Sequence, residues 1–243
     1  MADPEAASPH AVVVGASSGI GLSVAQRLAE RMPVTALARR VERFGTAGHD
    51  GIIGLFCDVD DSASIDAALT QAVAERGKIS ALVYCAGAQV IKPMRAMKPA
   101  EIDRVIDVNI KGALHVARHM ASARIAQADA VFCGVSSIAA TRPEPGIVAY
   151  AAAKAALDAM IKGLARELAP RRFVGVAPGW LDTEMTQSQA HIYNAQFREE
   201  LEKRTPLGIT SVQAVTDLIL YLLSPAAGSI TGQIVTIDGG ASL

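Results

Sequence analysis

The stretch Val12-Val13-Val14-Gly15-Ala16-Ser17-Ser18-Gly19-Ile20-Gly21 decides how this chain is read. An apolar run ends at Gly15, and Ile20, Val24 and Leu28 then recur at helical spacing, so the local unit is strand, turn, helix. A glycine-rich turn in that setting lets the backbone approach a pyrophosphate, while the helix N-terminus offers N–H groups and the positive end of its dipole. The spacing is G-x-x-x-G-x-G, not G-x-G-x-x-G, and by itself it also suits a plain tight turn.

Outward from this unit the pattern repeats. Apolar runs at 34–38, 52–57, 79–84, 130–135, 173–177 and 234–237 predict six more strands. Between them, Ile65, Leu69 and Val73 mark a helix over 62–75. Ile102, Ile106, Ile110, Leu114 and Ala117 mark one face of a long helix over 100–124, and Ala153, Leu157, Ile161 and Leu168 mark another over 149–168. The strands are continuous apolar runs, as expected where helices cover both faces of a parallel sheet. The expected fold is therefore α/β: a single Rossmann-type, doubly wound, seven-stranded parallel sheet over 11–243, preceded by a flexible tail, 1–10. In such a sheet, ligands bind outside the carboxyl ends of the strands, where the strand order reverses.

Composition excludes several classes. With 51% hydrophobic residues among 243 the chain can bury a large core, and 23 Lys+Arg against 24 Asp+Glu give a net charge of -1, which suggests neither a nucleic acid nor an anionic membrane as partner. The longest charge-free run, 218–237, holds Pro225, Gly228, Ser229, Gly232 and Gln233, so it reads as helix end, turn and strand and not as a membrane span. Residues 1–10 lack the basic and apolar regions of a secretory signal. Cys57, Cys85 and Cys133 are odd in number and widely spaced, which favours reduced core thiols and a cytoplasmic location. His10, His49, His115, His119 and His191 show no ligand spacing; they read as surface or helix-face residues, and no metal is expected.

The residues with chemistry follow the predicted strands. Tyr150 and Lys154, four apart on one helix face, bring an ammonium near a phenol and favour its phenolate; only roughly 0.12 such pairs would arise by chance here. Ser137 ends strand five, where its hydroxyl faces the same crevice, and Asn109 interrupts an apolar helix face.

Taken together and in order, these residues resemble the short-chain dehydrogenase/reductase family, over about Ala11 to Gly240. The resemblance rests on the Gly15 to Gly21 turn, Asp58-Val59, Ala86-Gly87, Asn109, Ser137, Tyr150 with Lys154, Pro178-Gly179 with Thr183, and Asp238-Gly239-Gly240. Its pattern is similar to bacterial β-ketoacyl (3-oxoacyl) reductases. Two departures stand out: Tyr84-Cys85 replaces the usual Asn-Asn after strand four, and Gly175 stands where Asn is usual, in a region shortened by about two residues.

The resemblance implies that Tyr150 is a general acid to a ketone carbonyl, that Ser137 donates a hydrogen bond to the same oxygen, that Lys154 binds ribose hydroxyls, and that Asn109 holds a water leading from Lys154 to solvent. It also implies a nucleotide site made of Gly15, Ser17, Ser18, Gly19, Ile20, Gly21, Asp58, Val59, Ala86, Gly87, Tyr150, Lys154, Pro178, Gly179, Leu181 and Thr183. At the end of strand two, Arg39 stands where an acidic residue would favour NAD, and Arg40 follows, so NADP(H) is the expected cofactor. The segment 180–206, with Met185, His191, Tyr193 and Phe197, is expected to form a helical lid, and Gln89, Ile91, Met94 and Ile138 to complete the pocket. The expected substrate is a small-molecule ketone, or the alcohol in reverse, a β-ketoacyl or natural-product intermediate that is tethered to a carrier if Arg171-Arg172 meets an acidic protein. The same residues admit a nucleotide-binding regulatory or scaffolding protein without turnover, and an alcohol dehydrogenase working in the oxidative direction. Small residues on helices 100–124 and 149–168 (Ala113, Ala117, Ala121; Ala151, Ala155, Ala159) predict a homotetramer, with a dimer as fallback.

Overall fold

The computed structural model describes residues 8–45, 51–187, 189 and 192–243; most of the expected tail, His49 and His191 lie outside the described residues. Seven strands form one parallel sheet: β1 (Ala11–Val14), β2 (Val34–Ala38), β3 (Ile52–Phe56), β4 (Ile79–Tyr84), β5 (Ala126–Val135), β6 (Arg172–Pro178) and β7 (Ile234–Ile237), in the order β3-β2-β1-β4-β5-β6-β7. The order reverses between β1 and β4, and this sets the switch point beside the Gly15 turn.

The helices are α1 (Gly19–Ala29), α2 (Glu42–Gly45), α3 (Ser62–Arg76), α4 (Pro99–Ile106), α5 (Gly112–Met120), α6 (Val148–Glu167), α7 (Glu184–Gln187), α8 (Ala195–Arg204) and α9 (Val212–Leu223). They cover both faces, because alternate strand residues point to opposite sides. Val12 and Val14 pack with α3, α5 and α6, whereas Ala11 and Val13 pack with α1 and α9. Polar caps fix where helices begin: Asp61 accepts from Ala63 N at 2.9 Å to start α3, and Ser211 accepts from Ala214 N at 3.1 Å to start α9. Among the described residues no helix is long and apolar enough to cross a membrane.

The long helix differs from its predicted form. It divides at a π-helical turn, Asp107–Lys111, between α4 and α5. Its core side carries Val105, Asn109, Ala113, Val116 and Met120, whereas Ile102, Ile106 and Ile110 are only partly buried and Leu114 is 49% exposed. Steps of four residues run ahead of a 3.6-residue turn by about 40° each, so the stripe begun at Ile102 drifts off the core, and the parallel stripe from Val105 fills it. Of the six alanines named for assembly, Ala113, Ala117 and Ala151 belong to the chain's own core, while Ala121, Ala155 and Ala159 face outward.

Two sequence departures find a structural answer. The buried Tyr84 donates its phenolic proton to the Val108 carbonyl at 2.6 Å, inside the π-helical turn, and so ties the end of β4 to the long helix. Gly175 pairs with Gly134, and a Cβ on Gly175 would stand 2.7 Å from Ile234 Cδ1 and 3.0 Å from Ile161 Cδ1; the missing side chain is the space that α6 packs into.

His10 corrects two expectations. It is fully buried, with Nδ1 2.9 Å from the Gly77 carbonyl and Nε2 2.9 Å from Thr35 Oγ1, and Ser80 bonds its backbone on both sides. The ring is an internal strut below β1 and belongs neither to a tail nor to a surface; burial pulls its pKa below the ordinary histidine value.

Candidate active site

The Gly15 turn is shaped by two close approaches. Gly15 has φ +79°, and a Cβ there would stand 2.5 Å from Ala86 N; one on Gly21 would stand 2.3 Å from the Gly15 carbonyl oxygen. Only glycine lets the turn lie against the end of β4 while α1 starts beneath it. Ser18, the N-cap of α1, makes no side-chain cap bond, and the helix has no acidic residue in its first turn. Its terminal N–H groups and dipole therefore face the crevice, an arrangement that fits a pyrophosphate.

This crevice, of about 1150 Å³, lies along the carboxyl ends of the strands. Every residue expected to bind nucleotide lines it, as do Ser137, Tyr150 and Lys154. Asp58 follows β3, its amide donating to Ser64 Oγ at 3.0 Å and its Oδ1 accepting from Asp60 N at 3.2 Å. Gly179 follows β6, its N–H donating to the Ile237 carbonyl at 3.1 Å. Arg39 and Arg40 are exposed at the end of β2. The residues present thus fit a dinucleotide.

Ser137 caps the short turn Ile138–Ala140 by accepting from Ala139 N at 3.1 Å. Tyr150 sits in the first turn of α6, and Lys154, 3% exposed, one turn further on, with Nζ 5.6 Å from the Tyr150 ring centre. The Lys154 ammonium donates to the Val135 carbonyl at 2.8 Å. Burial pulls the pKa of Lys154 down to about 8, against the opposing pull of Cys85 and Asp158. Burial also pushes Tyr150 up to about 12; a hydrogen bond with Ser137 lowers it and the Tyr193 phenol raises it further. The expectation that Lys154 favours the phenolate is thereby corrected: desolvation wins, and the ammonium is directed at a main-chain oxygen.

Asn109 does not line the crevice but lies buried behind it. Its Nδ2 donates to the Ala88 and Val105 carbonyls at 2.7 and 2.8 Å, while Oδ1 has no partner among the described residues. A Cβ on Gly87 would stand 3.3 Å from this Oδ1 and 3.8 Å from Lys154 Nζ, so both atoms border the space beside Gly87.

The lid segment is helical, as α7 and α8, and places Trp180, Tyr193 and Phe197 on the crevice wall. Their ring centres are 6.0 Å (Trp180 to Tyr193), 6.1 Å (Trp180 to Phe197) and 5.0 Å (Tyr193 to Phe197) apart. Arg198 lies 5.2 Å from the Trp180 ring centre and pairs with Asp182 at 2.5 Å. Gln89, Ile91, Ile138 and Met185 also line the wall, but Met94 does not: it is 53% exposed on a turn outside it.

Arg171-Arg172 is displaced from its expected role. The pair sits at the amino end of β6, opposite the crevice, and its donors are committed to main-chain oxygens: Arg171 to Gln127, and Arg172 to Leu222, Ile230 and Ser224. Conversely, Arg43 and Glu184 were missed by sequence reasoning. Arg40 and Arg43 both bond Glu184, at 3.0 and 2.5 Å, and both reach Ser17, Arg40 at its Oγ (3.3 Å) and Arg43 at its carbonyl (2.9 Å). Arg43, one helical turn beyond Arg39, was open to detection as a third arginine; Glu184, 141 residues from Arg43, gave no local signal.

The family model described as enoyl-(acyl carrier protein) reductase matches residues 15–242. The chain is 33% identical to the short-chain reductase protein NovJ of Streptomyces niveus, with 95% of this chain and 92% of NovJ covered. It is 32% identical to the 3-oxoacyl-[acyl-carrier-protein] reductase FabG of Thermotoga maritima, with 94% and 96% covered. Among solved structures, a variant of the actinorhodin polyketide ketoreductase with NADPH superposes with a TM-score of 0.89 at 25% identity, covering 96% of this chain and 97% of that one. With its fold, its glycine turn and its match over nearly the whole length, the chain belongs to the short-chain dehydrogenase/reductase family of oxidoreductases.

Proposed function

We propose that this protein is an NADP(H)-dependent ketoreductase in which Tyr150 is the general acid. The observation that carries the reading is the meeting of Tyr150, Ser137 and Lys154 on one crevice where the strand order reverses, with the lysine nitrogen 5.6 Å from the Tyr150 ring centre. The Tyr150 phenol holds its proton at neutral pH and can give it to an oxygen that is gaining charge. The nicotinamide supplies the hydride when bound. Tyr150 Oη gives its proton to the carbonyl oxygen, and Ser137 Oγ–H donates to the same oxygen as its charge builds. Lys154 holds the ribose hydroxyls, and Asn109 Oδ1 accepts from a water through which the lysine is reprotonated. Arg39 and Arg40 receive the 2′-phosphate, Asp58 the adenine amino group, and Val59, Ala86, Pro178, Leu181 and Thr183 the remaining edges of the dinucleotide.

The relatives support a ketone substrate of β-ketoacyl or natural-product type, since those they resemble are named 3-oxoacyl reductases and a polyketide ketoreductase. A carrier tether draws support from the same names and none from Arg171-Arg172. The outward alanines of α6 support assembly as a homotetramer, and the buried free thiols Cys57 and Cys133 a cytoplasmic setting. A binding-only protein would have no use for the phenol, lysine and serine of one crevice together. Tyr150→Phe tests the reading: NADPH binding should survive while reduction of ketones and acyl thioesters falls at least roughly 100-fold. Retained turnover would remove Tyr150 from the mechanism.

A further inference from the structure

Glu184 occupies an unusual place for a carboxylate. It lies on α7, just past β6, yet its two oxygens take Arg40 and Arg43 from the end of β2, across the mouth of the nucleotide crevice. The same two guanidiniums reach Ser17 in the glycine turn. Two guanidiniums and a serine hydroxyl converging on one point form the donor set that a phosphate monoester requires, and the carboxylate holding them is the chain's own. The arginines pull the pKa of Glu184 below the ordinary carboxylate range, so it is ionised at neutral pH.

We infer that Glu184 is an internal competitor for the 2′-phosphate subsite: its carboxylate holds Arg40, which with Arg39 receives the 2′-phosphate in the reading above, together with Arg43 beside it, and yields them when that phosphate arrives. The inference rests on the NADP(H) reading and adds a residue that sets how strongly 2′-phosphate is preferred. A nucleotide without a 2′-phosphate has no anion to exchange for Glu184 and leaves the clasp closed.

The test uses the intact protein and two adenine nucleotides that differ only in that phosphate, 2′,5′-ADP and 5′-AMP, titrated by calorimetry into the native chain and Glu184→Gln. Glutamine keeps the shape and removes the charge. Two half-exposed ion pairs are each modest, so the variant should bind 2′,5′-ADP roughly 5- to 10-fold more tightly and 5′-AMP within about twofold of the native chain. If the native chain prefers 2′,5′-ADP and the variant's preference is no greater, the inference is overturned and the cofactor reading stands. If neither protein distinguishes the two nucleotides, both are overturned. A preference gained only by the variant would overturn the cofactor reading for the native chain and support the competitor.

Discussion

At the scale of single residues, the chemistry depends on two neighbouring groups whose pKa values are pushed apart, Lys154 down to about 8 and Tyr150 up to about 12. Lys154, at about 8, is a cation below that pH and neutral above it. If its charge supports ribose binding and proton return, kcat/KM for ketone reduction should fall as pH rises through about 8, with the slope of one proton. A profile flat to pH 9.5 would remove the ammonium from the mechanism. The stability effect has the opposite sign. Between about 8 and the ordinary lysine value of 10.5 the unfolded chain binds a proton that the folded chain lacks, so stability should rise with pH across that window. The thiols Cys57, Cys85 and Cys133, whose pKa values burial raises, pull stability the other way in the same window, so the Lys154 contribution is read as a difference: from pH 8 to 9.5 the urea midpoint of the native chain should gain on that of Lys154→Met. Arg39 carries the cofactor choice. A charged hydrogen bond contributes about 1.5 to 3 kcal/mol, so Arg39→Asp should weaken NADPH roughly 10- to 100-fold and bring NADH toward parity. Direct titration of both nucleotides checks this, and a native chain that binds NADH at least as tightly as NADPH would overturn the assignment.

At the scale of elements, the long helix is the part of the fold that places Asn109, and its π-helical turn is tied to the sheet by one side chain. Gly112 lets the helix settle: a Cβ there would stand 2.7 Å from the Val59 carbonyl oxygen and 2.9 Å from Tyr84 Oη. The Tyr84 phenol then reaches the Val108 carbonyl. Tyr84→Phe keeps the packed ring and removes only that bond, so it should destabilise the fold by about 1 kcal/mol, read as a lower urea midpoint at unchanged slope. An unchanged midpoint would mean that the ring's packing alone holds β4 to the turn. Because Tyr84 itself does not line the crevice, nucleotide affinity should change less than twofold.

At the scale of the whole molecule, the outer surface of α6 is a run of small residues, with Ala152, Ala155, Ala156 and Ala159 exposed and Leu114 exposed on neighbouring α5. A helix face this small lets another helix approach closely, which supports association through α5 and α6. Light scattering at micromolar concentration should give the mass of four chains, or of two if only this face pairs. Ala155→Arg should reduce it, and a single-chain mass for the native protein would overturn the assembly. The amino-acid sequence by itself determined the alternation of strands and helices, the parallel sheet and the chain positions of the crevice residues. Apolar continuity, glycine spacing and the i, i+4 pairing of Tyr150 with Lys154 are local properties, and a parallel sheet delivers every strand's carboxyl end to one edge. Tertiary structure alone decided which stripe of the long helix faces inward, because several apolar stripes compete and only packing selects among them. It also decided that His10 is a buried strut, that Arg172 holds main-chain carbonyls, and that Arg43 meets Glu184, since each partner is supplied by a crossover far away in the chain. The raised pKa of Tyr150 belongs to this second group: desolvation depends on what surrounds a residue in space, and the four-residue spacing specified only one neighbour.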